Sequence, residues 1–287
     1  MKRSLLALAV CVSAPAAFAD GARFQADADN SIFFNIVEPA ELSNGAGTDI
    51  FVGATFVHVQ ILQRGLVRFD VSSLPAGATI TSAKLHLTCL RGGPTAPSDV
   101  TVHRATAAWG EGTSATFGGA GAAATASDAT WTKRVFPSTA WSTPGGDFVA
   151  AASASASVPN AETEIIFSGP DLLADVQAWA AGTAPNLGWV LVGDESLRGS
   201  SRAFASRENP RDDVRPWLEV EFSLGGGCDA DVNQDGNVDQ GDVDSLIDVV
   251  AGGDNPTGID ADFNQDGNVD QGDIDSLINV VAGGPCP

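Results

Sequence analysis

The sequence predicts an all-β sandwich, jelly-roll-like in its strand spacing, followed by a small all-α domain. Three observations support this fold class. The 287 residues include 32 Gly and 15 Pro, too many for a helical bundle. Apolar runs are short and separated by turn residues. The composition then changes at residues 225–227, Gly-Gly-Gly, after which residues 228–287 contain fourteen Asp and no Lys, Arg, Glu or His. We expect a flexible linker there.

The overall charge indicates which partners are disfavoured, and the first residues indicate where the protein is located. Asp and Glu number 36 against 15 Lys and Arg, a net charge of -21 that disfavours nucleic acid and anionic membranes as partners. Lys2 and Arg3 precede an apolar stretch at residues 5–12 and the small-x-small sequence at residues 17–19, which predicts a signal peptide over residues 1–19. A lipoprotein signal at Cys11 is the alternative. No later run is long enough to span a membrane. We expect a secreted or cell-surface protein.

Export would place three cysteines in an oxidising compartment, where disulfides persist. Cys228 and Cys286 flank one segment, and closing that loop would contribute about 4 kcal/mol, so we expect them to pair. Cys89 alternates with polar neighbours in the manner of a half-buried strand, which indicates a small core residue.

The domain over residues 20–224 is expected to be β. Strands are predicted at residues 51–62, 66–71, 79–90, 100–104, 164–167, 189–192 and 217–222, with a thin strand within 151–158. One helix is predicted to begin at Asp171 and to end at Gly182. Residues 114–130, rich in Ala, Gly and Thr, are predicted to form a long loop.

An internal repeat fills the domain over residues 228–287. The 26 residues from Cys228 recur 31 residues later, from Ile259, with four differences. Each copy contains D-x-N-x-D-G-x-V-D-x-x-D, which places oxygen ligands at loop positions 1, 3, 5, 7, 9 and 12 around a turn Gly at position 6. Such a set predicts one Ca²⁺ per loop, with Asp where an EF-hand has Glu at position 12. The expected ligands are Asp231, Asn233, Asp235, Asn237 through its carbonyl, Asp239 and Asp242, then Asp262, Asn264, Asp266, Asn268 through its carbonyl, Asp270 and Asp273.

A helix is predicted after each loop. Position 9 can cap it, and Val243, Leu246, Ile247 and Val250 form one apolar face that Gly252 ends. The second copy repeats this face. Because the loop carboxylates repel one another and no local cation offsets them, we expect folding to be coupled to calcium binding. An acidic disordered tail is the alternative, although disorder does not require this periodicity.

These residues resemble a type I dockerin, a tandem calcium-loop module that docks into a cohesin domain of a scaffolding protein. The resemblance covers residues 228–287. The family's partner-reading positions, 10 and 11, hold Gln240-Gly241 and Gln271-Gly272 instead of the frequent Ser-Thr pair. The near-identity of the repeats implies binding in two orientations related by a half turn.

The preceding domain resembles the DNRLRE family, β-sandwich modules grouped with carbohydrate-binding modules. The resemblance rests on LVRFDVSSLPAGATITSAKLHL from Leu66, WGEG from Trp109, AWSTPGGD from Ala140, PNLGWVLVG from Pro185 and FASRENPRDDVRPWLEVEF from Phe204. It implies a sandwich that binds polysaccharide. The name-giving motif itself is not present as a literal string.

Two groups of side chains are candidates for carbohydrate contacts. Trp109, Trp131 and Trp141 fall in or near loops, where rings stack on sugar faces, although core anchoring is the alternative. Arg202, Arg207 and Arg211 belong to a basic run that suits an acidic polysaccharide, with internal salt bridges as the alternative.

Other candidate sites are weaker. Asp27, Asp29 and Asn30 are candidates for a third calcium ion. His58, His86 and His103 alternate with apolar neighbours and are expected to face the surface. Glu111 and Asp147 are candidates for a glycosidase pair, but no convergent acid, base or nucleophile set is evident, so we expect no enzymatic activity.

The sequence therefore leads to two main hypotheses. In the first, a secreted non-catalytic protein binds polysaccharide through its sandwich and docks to a cohesin-type scaffold through its calcium-loaded tail, in polysaccharide breakdown. In the second, a surface protein without a sugar ligand uses the tail for calcium-dependent assembly. An accessory glycoside hydrolase or lyase component is a further alternative.

Overall fold

The computed structural model describes residues 20–37, 40–56, 60–95, 97–224, 229–264, 266–284 and 286. The chain divides into two compact units, Met1–Ser223 and Leu224–Pro287. The signal peptide expected over residues 1–19 and the linker expected over 225–227 lie outside the described residues.

The first unit is mostly β, with fourteen strands in the part that the structure describes. The strands are β1 Asp20–Asn35, β2 Leu42–Ser43, β3 Asp49–Ala54, β4 Ile61–Phe69, β5 Ala78–Gly92, β6 Ser98–Arg104, β7 Ala122–Ala123, β8 Lys133–Val135, β9 Thr139–Ala140, β10 Ala154–Val158, β11 Thr163–Ser168, β12 Trp189–Gly193, β13 Arg202–Ala205 and β14 Trp217–Leu224. One α-helix, α1, covers Pro170–Ala180. A short 3-10 turn covers Asp212–Val214.

The strands form a sandwich- or barrel-like fold in which two strands pass from one sheet layer to the other. One layer contains β10, β6, β12, β4, β1, β2 and β7, and the other contains β3, β13, β5, β11 and β14. β1 pairs with β14 over its first residues and with β4 over the rest. β3 likewise pairs with β13 and then with β4. These shared strands join the layers.

A β-bulge lies where β1 changes partner. The register against β4 shifts between Ala26 and Ala28. Asp27 is exposed, whereas Ala28, Asp29 and Asn30 are all buried, so the alternation of faces is interrupted at this point. The bulge therefore directs an acidic side chain, Asp29, into the interior.

The main core lies between the layers and under α1. Leu85, Phe69, Phe167 and Trp189 are fully buried in it. α1 covers one side of the core through Leu172, Val176 and Trp179, at the spacing that an amphipathic helix provides. A second cluster contains Trp109, Trp131 and Trp141.

The second unit contains two helices, α2 Gln240–Val250 and α3 Gln271–Val281, each preceded by an acidic loop. Their shared core includes Val232, Leu246, Phe263 and Leu277. Two of the four differences between the repeats, Val232 against Phe263 and Val243 against Ile274, are core residues. No helix among the described residues is long and apolar enough to cross a membrane.

The cysteines differ in their bonding. Cys89 is a free, fully buried thiol on β5. Cys286 takes part in a disulfide. Its expected partner, Cys228, lies outside the described residues, so that pairing remains a prediction.

Candidate functional site

The first acidic loop is organised around the carboxylate at position 1. Asp231 accepts hydrogen bonds from the backbone amides of Asp235, at 3.0 Å, and Gly236, at 2.9 Å. Gly236 has a positive φ of 91°, which favours glycine and permits the turn. Asp235 accepts from the amide of Asn237 at 2.9 Å, and these amide contacts hold the pKa of Asp235 below its ordinary value. The carboxylates at positions 1 and 5 thus hold the turn of the loop through backbone amides.

Position 12 joins the loop to the helix that follows. Asp242 is fully buried, and its two carboxylate oxygens accept from the amides of Asn233, at 3.1 Å, and Asp239, at 2.8 Å. Asp239 caps α2 by accepting from the amide of Gly241 at 2.7 Å. Its side chain also accepts from the amide of Asp242, and this contact completes a capping box. One buried carboxylate therefore fixes loop positions 3 and 9 together.

The second loop repeats this geometry. Asp262 accepts from the amides of Asp266 and Gly267, and Asp273 accepts from those of Asn264 and Asp270. Asp273 is fully buried, as Asp242 is. Two loops that differ in flanking residues adopt one set of contacts, so the shared motif determines the local structure.

The loop residues fit a hard cation by their chemistry. Every expected ligand is an oxygen of a carboxylate, amide or carbonyl, the donors that Ca²⁺ prefers. The twelve expected ligands are Asp231, Asn233, Asp235, Asn237, Asp239, Asp242, Asp262, Asn264, Asp266, Asn268, Asp270 and Asp273. Within the described residues, however, the loop carboxylates form no group of three with ligand oxygens within 4.8 Å of one another; that proximity occurs at Asp29, Glu111 and Glu208. The calcium loops therefore remain a proposal.

The three tryptophans expected to contact sugars are buried instead. Exposed fractions are 7 % for Trp109, 8 % for Trp131 and 5 % for Trp141. The indole of Trp109 donates to the carbonyl of Leu187 at 2.9 Å, and that of Trp141 donates to the carbonyl of Thr130 at 2.8 Å. The Trp131 ring stacks on Phe34, with the centroids 5.5 Å apart. Stacking on a sugar needs an open ring face, so this expectation is corrected: the rings anchor loops to the core.

The expectation that Arg202 contacts a ligand is also wrong, because the side chain is buried. Its side chain is fully buried, and its guanidinium donates to the carbonyls of Val158, Ser200, Ser201 and Thr95 at 2.6 to 3.1 Å. Burial lowers its pKa. The Arg202 guanidinium donates to four backbone carbonyls inside the protein, so it is not available to a ligand.

Arg207 and Arg211 form internal ion pairs, the alternative that the sequence left open. Arg207 donates two hydrogen bonds to Glu111, at 2.7 and 2.8 Å, and lies 2.9 Å from Glu208. Arg211 lies 2.9 Å from Glu162 and 3.4 Å from Asp213, on the surface.

An open groove in the first unit offers aromatic faces that the sequence analysis missed. Its volume is about 270 Å³. Phe117 is 95 % exposed and Phe56 is 66 % exposed at its edge. Arg91 lines it as well, half-exposed and paired with Asp49 at 2.5 Å. The available signal was a bulky aromatic residue, Phe117, within a loop otherwise composed of small residues.

The set proposed for a third calcium ion does not assemble as expected. Asp27 pairs with Arg68 on the surface at 2.6 Å. The side-chain oxygen of Asn30 accepts from Ser31, Ser43 and Asn44, and its amide donates to the carbonyl of Glu111. Asp29 instead approaches two glutamates from other segments.

The remaining acid and histidine candidates have structural contacts. Asp147 accepts from the amides of Ser142 and Thr143, both at 2.8 Å, and Glu111 binds Arg207. His86 and His103 are buried, not surface-facing: His86 stacks on Trp217 at 3.7 Å, and His103 contacts Thr101 and the Val149 carbonyl. His58 lies outside the described residues.

A scan against protein-family models found no match, and a search among curated proteins found none.

Proposed function

We propose that this protein is a secreted, non-catalytic docking protein. Its C-terminal unit binds two calcium ions and attaches to a cohesin-type scaffold, and its β-rich unit binds polysaccharide. The C-terminal unit is proposed to be dockerin-like and the β unit to be a jelly-roll-like sandwich of the DNRLRE type.

One observation carries the proposal: two acidic loops have the same contacts, each completed by a fully buried Asp at position 12. A buried carboxylate is costly unless its oxygens are satisfied, and here backbone amides from the loop satisfy them. The remaining oxygens stay near the surface with no basic residue among residues 229–284 to neutralise them. A hard cation supplies that neutralisation.

Matched exposed apolar residues support docking. Val238 and Ile247 in the first repeat are 50 % and 44 % exposed, and Val269 and Ile278 at the same positions of the second are 50 % and 47 % exposed. The repeats thus offer two equivalent apolar contact sites next to the loops. This arrangement suits a partner that binds in two orientations.

The groove lined by Phe56, Phe117 and Arg91 is the proposed polysaccharide site. Open aromatic faces stack on the apolar faces of sugars, and a half-exposed guanidinium donates to hydroxyls or carboxylates. It replaces the tryptophans as the candidate for sugar contacts.

The second candidate is calcium-dependent surface assembly without a sugar ligand. The observation in its favour is that Trp109, Trp131, Trp141 and Arg202 are all buried, which removes most of the expected sugar contacts.

The calcium proposal is tested by calorimetric titration of the full chain after removal of metal. Asp242→Asn with Asp273→Asn should reduce the number of bound Ca²⁺ ions by two. Asp244→Asn with Asp275→Asn is the matched control, since these carboxylates lie two residues further along the same helices and are exposed. Equal stoichiometry in wild type and the first double variant would refute the loop assignment.

The polysaccharide proposal is tested by retention on a panel of immobilised neutral and acidic polysaccharides. Phe117→Ala should abolish retention without altering stability, because the ring is almost fully exposed. Arg211→Ala, a surface change outside the groove, is the control. If wild type binds no member of the panel, assembly without a sugar ligand becomes the better account.

A further inference from the structure

Three carboxylates from separate segments meet inside the β-rich unit. Asp29 lies on β1, Glu111 follows Trp109, and Glu208 follows β13, yet each brings one carboxylate oxygen within 4.8 Å of the other two. These residues are distant in sequence, so the fold alone assembles them. None belongs to the proposed calcium loops.

Each segment is held in place by its own contacts. The amide of Asp29 donates to Glu111 at 2.9 Å. Asn30 donates to the backbone carbonyl of Glu111 at 2.8 Å, which fixes that turn. The Ser206 hydroxyl accepts from the amide of Glu208 at 3.1 Å and donates to the Gly47 carbonyl at 2.7 Å. The cluster is therefore preorganised and does not depend on mobile surface side chains.

One cationic side chain enters the cluster. Arg207 donates to both oxygens of Glu111 and lies 2.9 Å from Oε1 of Glu208, and its backbone amide donates to Oδ2 of Asp29 at 2.7 Å. Three carboxylates and one guanidinium leave two negative charges when all are ionised. A divalent cation would balance them.

Two buried oxygens remain without a partner in this arrangement. Asp29 is only 1 % exposed, and its Oδ1 accepts no hydrogen bond. The Oε2 atom of Glu208 is also buried and unpartnered. Buried polar atoms in native proteins are almost always satisfied, so these two indicate a ligand between them. Burial raises the pKa of Asp29 well above its ordinary value and also raises that of Glu208, as expected where negative charge is not compensated.

We propose that Asp29, Glu111 and Glu208 hold a hard divalent cation, of which Ca²⁺ is the representative, within the β-rich unit. Asp29 Oδ1 and Glu208 Oε2 are the primary ligands, and the remaining lone pairs of Glu111 and solvent complete an all-oxygen set. This site is independent of the two loops proposed for the C-terminal unit, and it ties β1 to the segments around Glu111 and Glu208.

The chain permits a selective spectroscopic test with Tb³⁺, which replaces Ca²⁺ at oxygen sites. All six Trp lie between Trp109 and Trp217 and the chain has no Tyr, so residues 229–284 contain no strong sensitiser. Trp109 is two residues from Glu111. Excitation of Trp in the full, metal-stripped chain should give Tb³⁺ emission that Ca²⁺ suppresses. The emission should persist in Asp242→Asn with Asp273→Asn, which separates this site from the loops.

Variants identify the ligands. Asp29→Asn should weaken Tb³⁺ and Ca²⁺ binding at this site by at least about tenfold. Asp27→Asn is the matched control on the same strand, since its carboxylate is exposed and paired with Arg68. Glu208→Gln, closer to the surface, should give the same loss and covers the case in which Asp29→Asn fails to fold. The site is refuted if Ca²⁺ stoichiometry by equilibrium dialysis is equal in wild type and in Glu208→Gln, because protons would then balance the cluster.

Discussion

Replacement of Arg202 by Met gives a direct test of how the β-rich unit is stabilised. Arg202 is fully buried, and its guanidinium donates hydrogen bonds to four backbone carbonyls. Met approximates its length and fills much of its volume, so the change chiefly removes hydrogen-bond donors. Its place in a basic run predicted a ligand contact, but in the structure Arg202 has this structural role instead.

The size of the effect follows from the carbonyls that lose a donor. The Ser201 carbonyl also accepts from the amide of Gly93, so it keeps a donor in the variant. A buried polar group left unsatisfied costs about 1–3 kcal/mol, so the other three carbonyls at the lower limit give about 3 kcal/mol. For a unit of this size, about 1 kcal/mol lowers Tm by about 2–4 °C. We therefore expect Arg202→Met to lower the Tm of the larger unit by about 6–12 °C.

The measurement is differential scanning calorimetry of the full chain, with Arg211→Met as the matched control. Arg211 has the same chemistry but lies on the surface, where its pairs with Glu162 and Asp213 are screened by solvent. Its replacement should leave Tm nearly unchanged. If both variants melted at the same temperature as wild type, the contacts of Arg202 would not contribute to stability and the reasoning would fail.

Two further predictions concern buried side chains. Cys89 should resist thiol reagents in the folded protein at mildly alkaline pH and react after denaturation. It is buried, and because burial raises its pKa, less of the reactive thiolate is present. Rapid labelling of the native protein would contradict this. Leu246→Ala should destabilise the C-terminal unit by about 2–5 kcal/mol, since Leu246 is fully buried, whereas Ile247→Ala, at a 44 % exposed position, should have little effect. Circular dichroism at helical wavelengths during calcium titration distinguishes the two variants. Equal losses of stability in both would show that the core is misassigned.

The helices of the C-terminal unit can be predicted from the sequence because the residues that determine them are close together in the chain. The N-cap Asp239 and the apolar residues Val243 and Leu246 lie within one short segment, and the structure places α2 there. The prediction was less accurate about the width of the apolar face. Ile247 was expected in the buried stripe, but two short helices cover only part of each other, which leaves it half-exposed.

The β-rich unit was predictable in class and only partly in detail. Runs such as residues 79–90 and 217–222 coincide with β5 and β14, where apolar and polar residues alternate. β1 was missed, because Asp20–Asn35 contains three Asp, three Ala and two Asn, residues with low β propensity. It forms a strand because it pairs with both β14 and β4. Tertiary pairing overrides local preference there.

The bulge in β1 explains why the acidic cluster could not be read from spacing. A regular strand would place Asp27 and Asp29 on the same face, so proximity in sequence suggested one shared ion. The register shift between Ala26 and Ala28 separates them: Asp27 reaches Arg68 on the surface, and Asp29 turns toward Glu111 and Glu208. The partners of Asp29 are set by how three distant segments fold together.

The two units therefore differ in how their negative charge is balanced. In the β-rich unit, basic side chains from distant segments pair with several acidic groups, as Arg64 pairs with Glu195 and Lys84 with Glu219. Residues 229–284 contain no basic side chain, so this segment cannot balance its own carboxylates. Monovalent salt screens charges over about 10 Å at 0.1 M, farther than the spacing of oxygens around one ion. Screening therefore reduces repulsion within a loop only weakly, and an ion that binds the oxygens directly is needed to remove it.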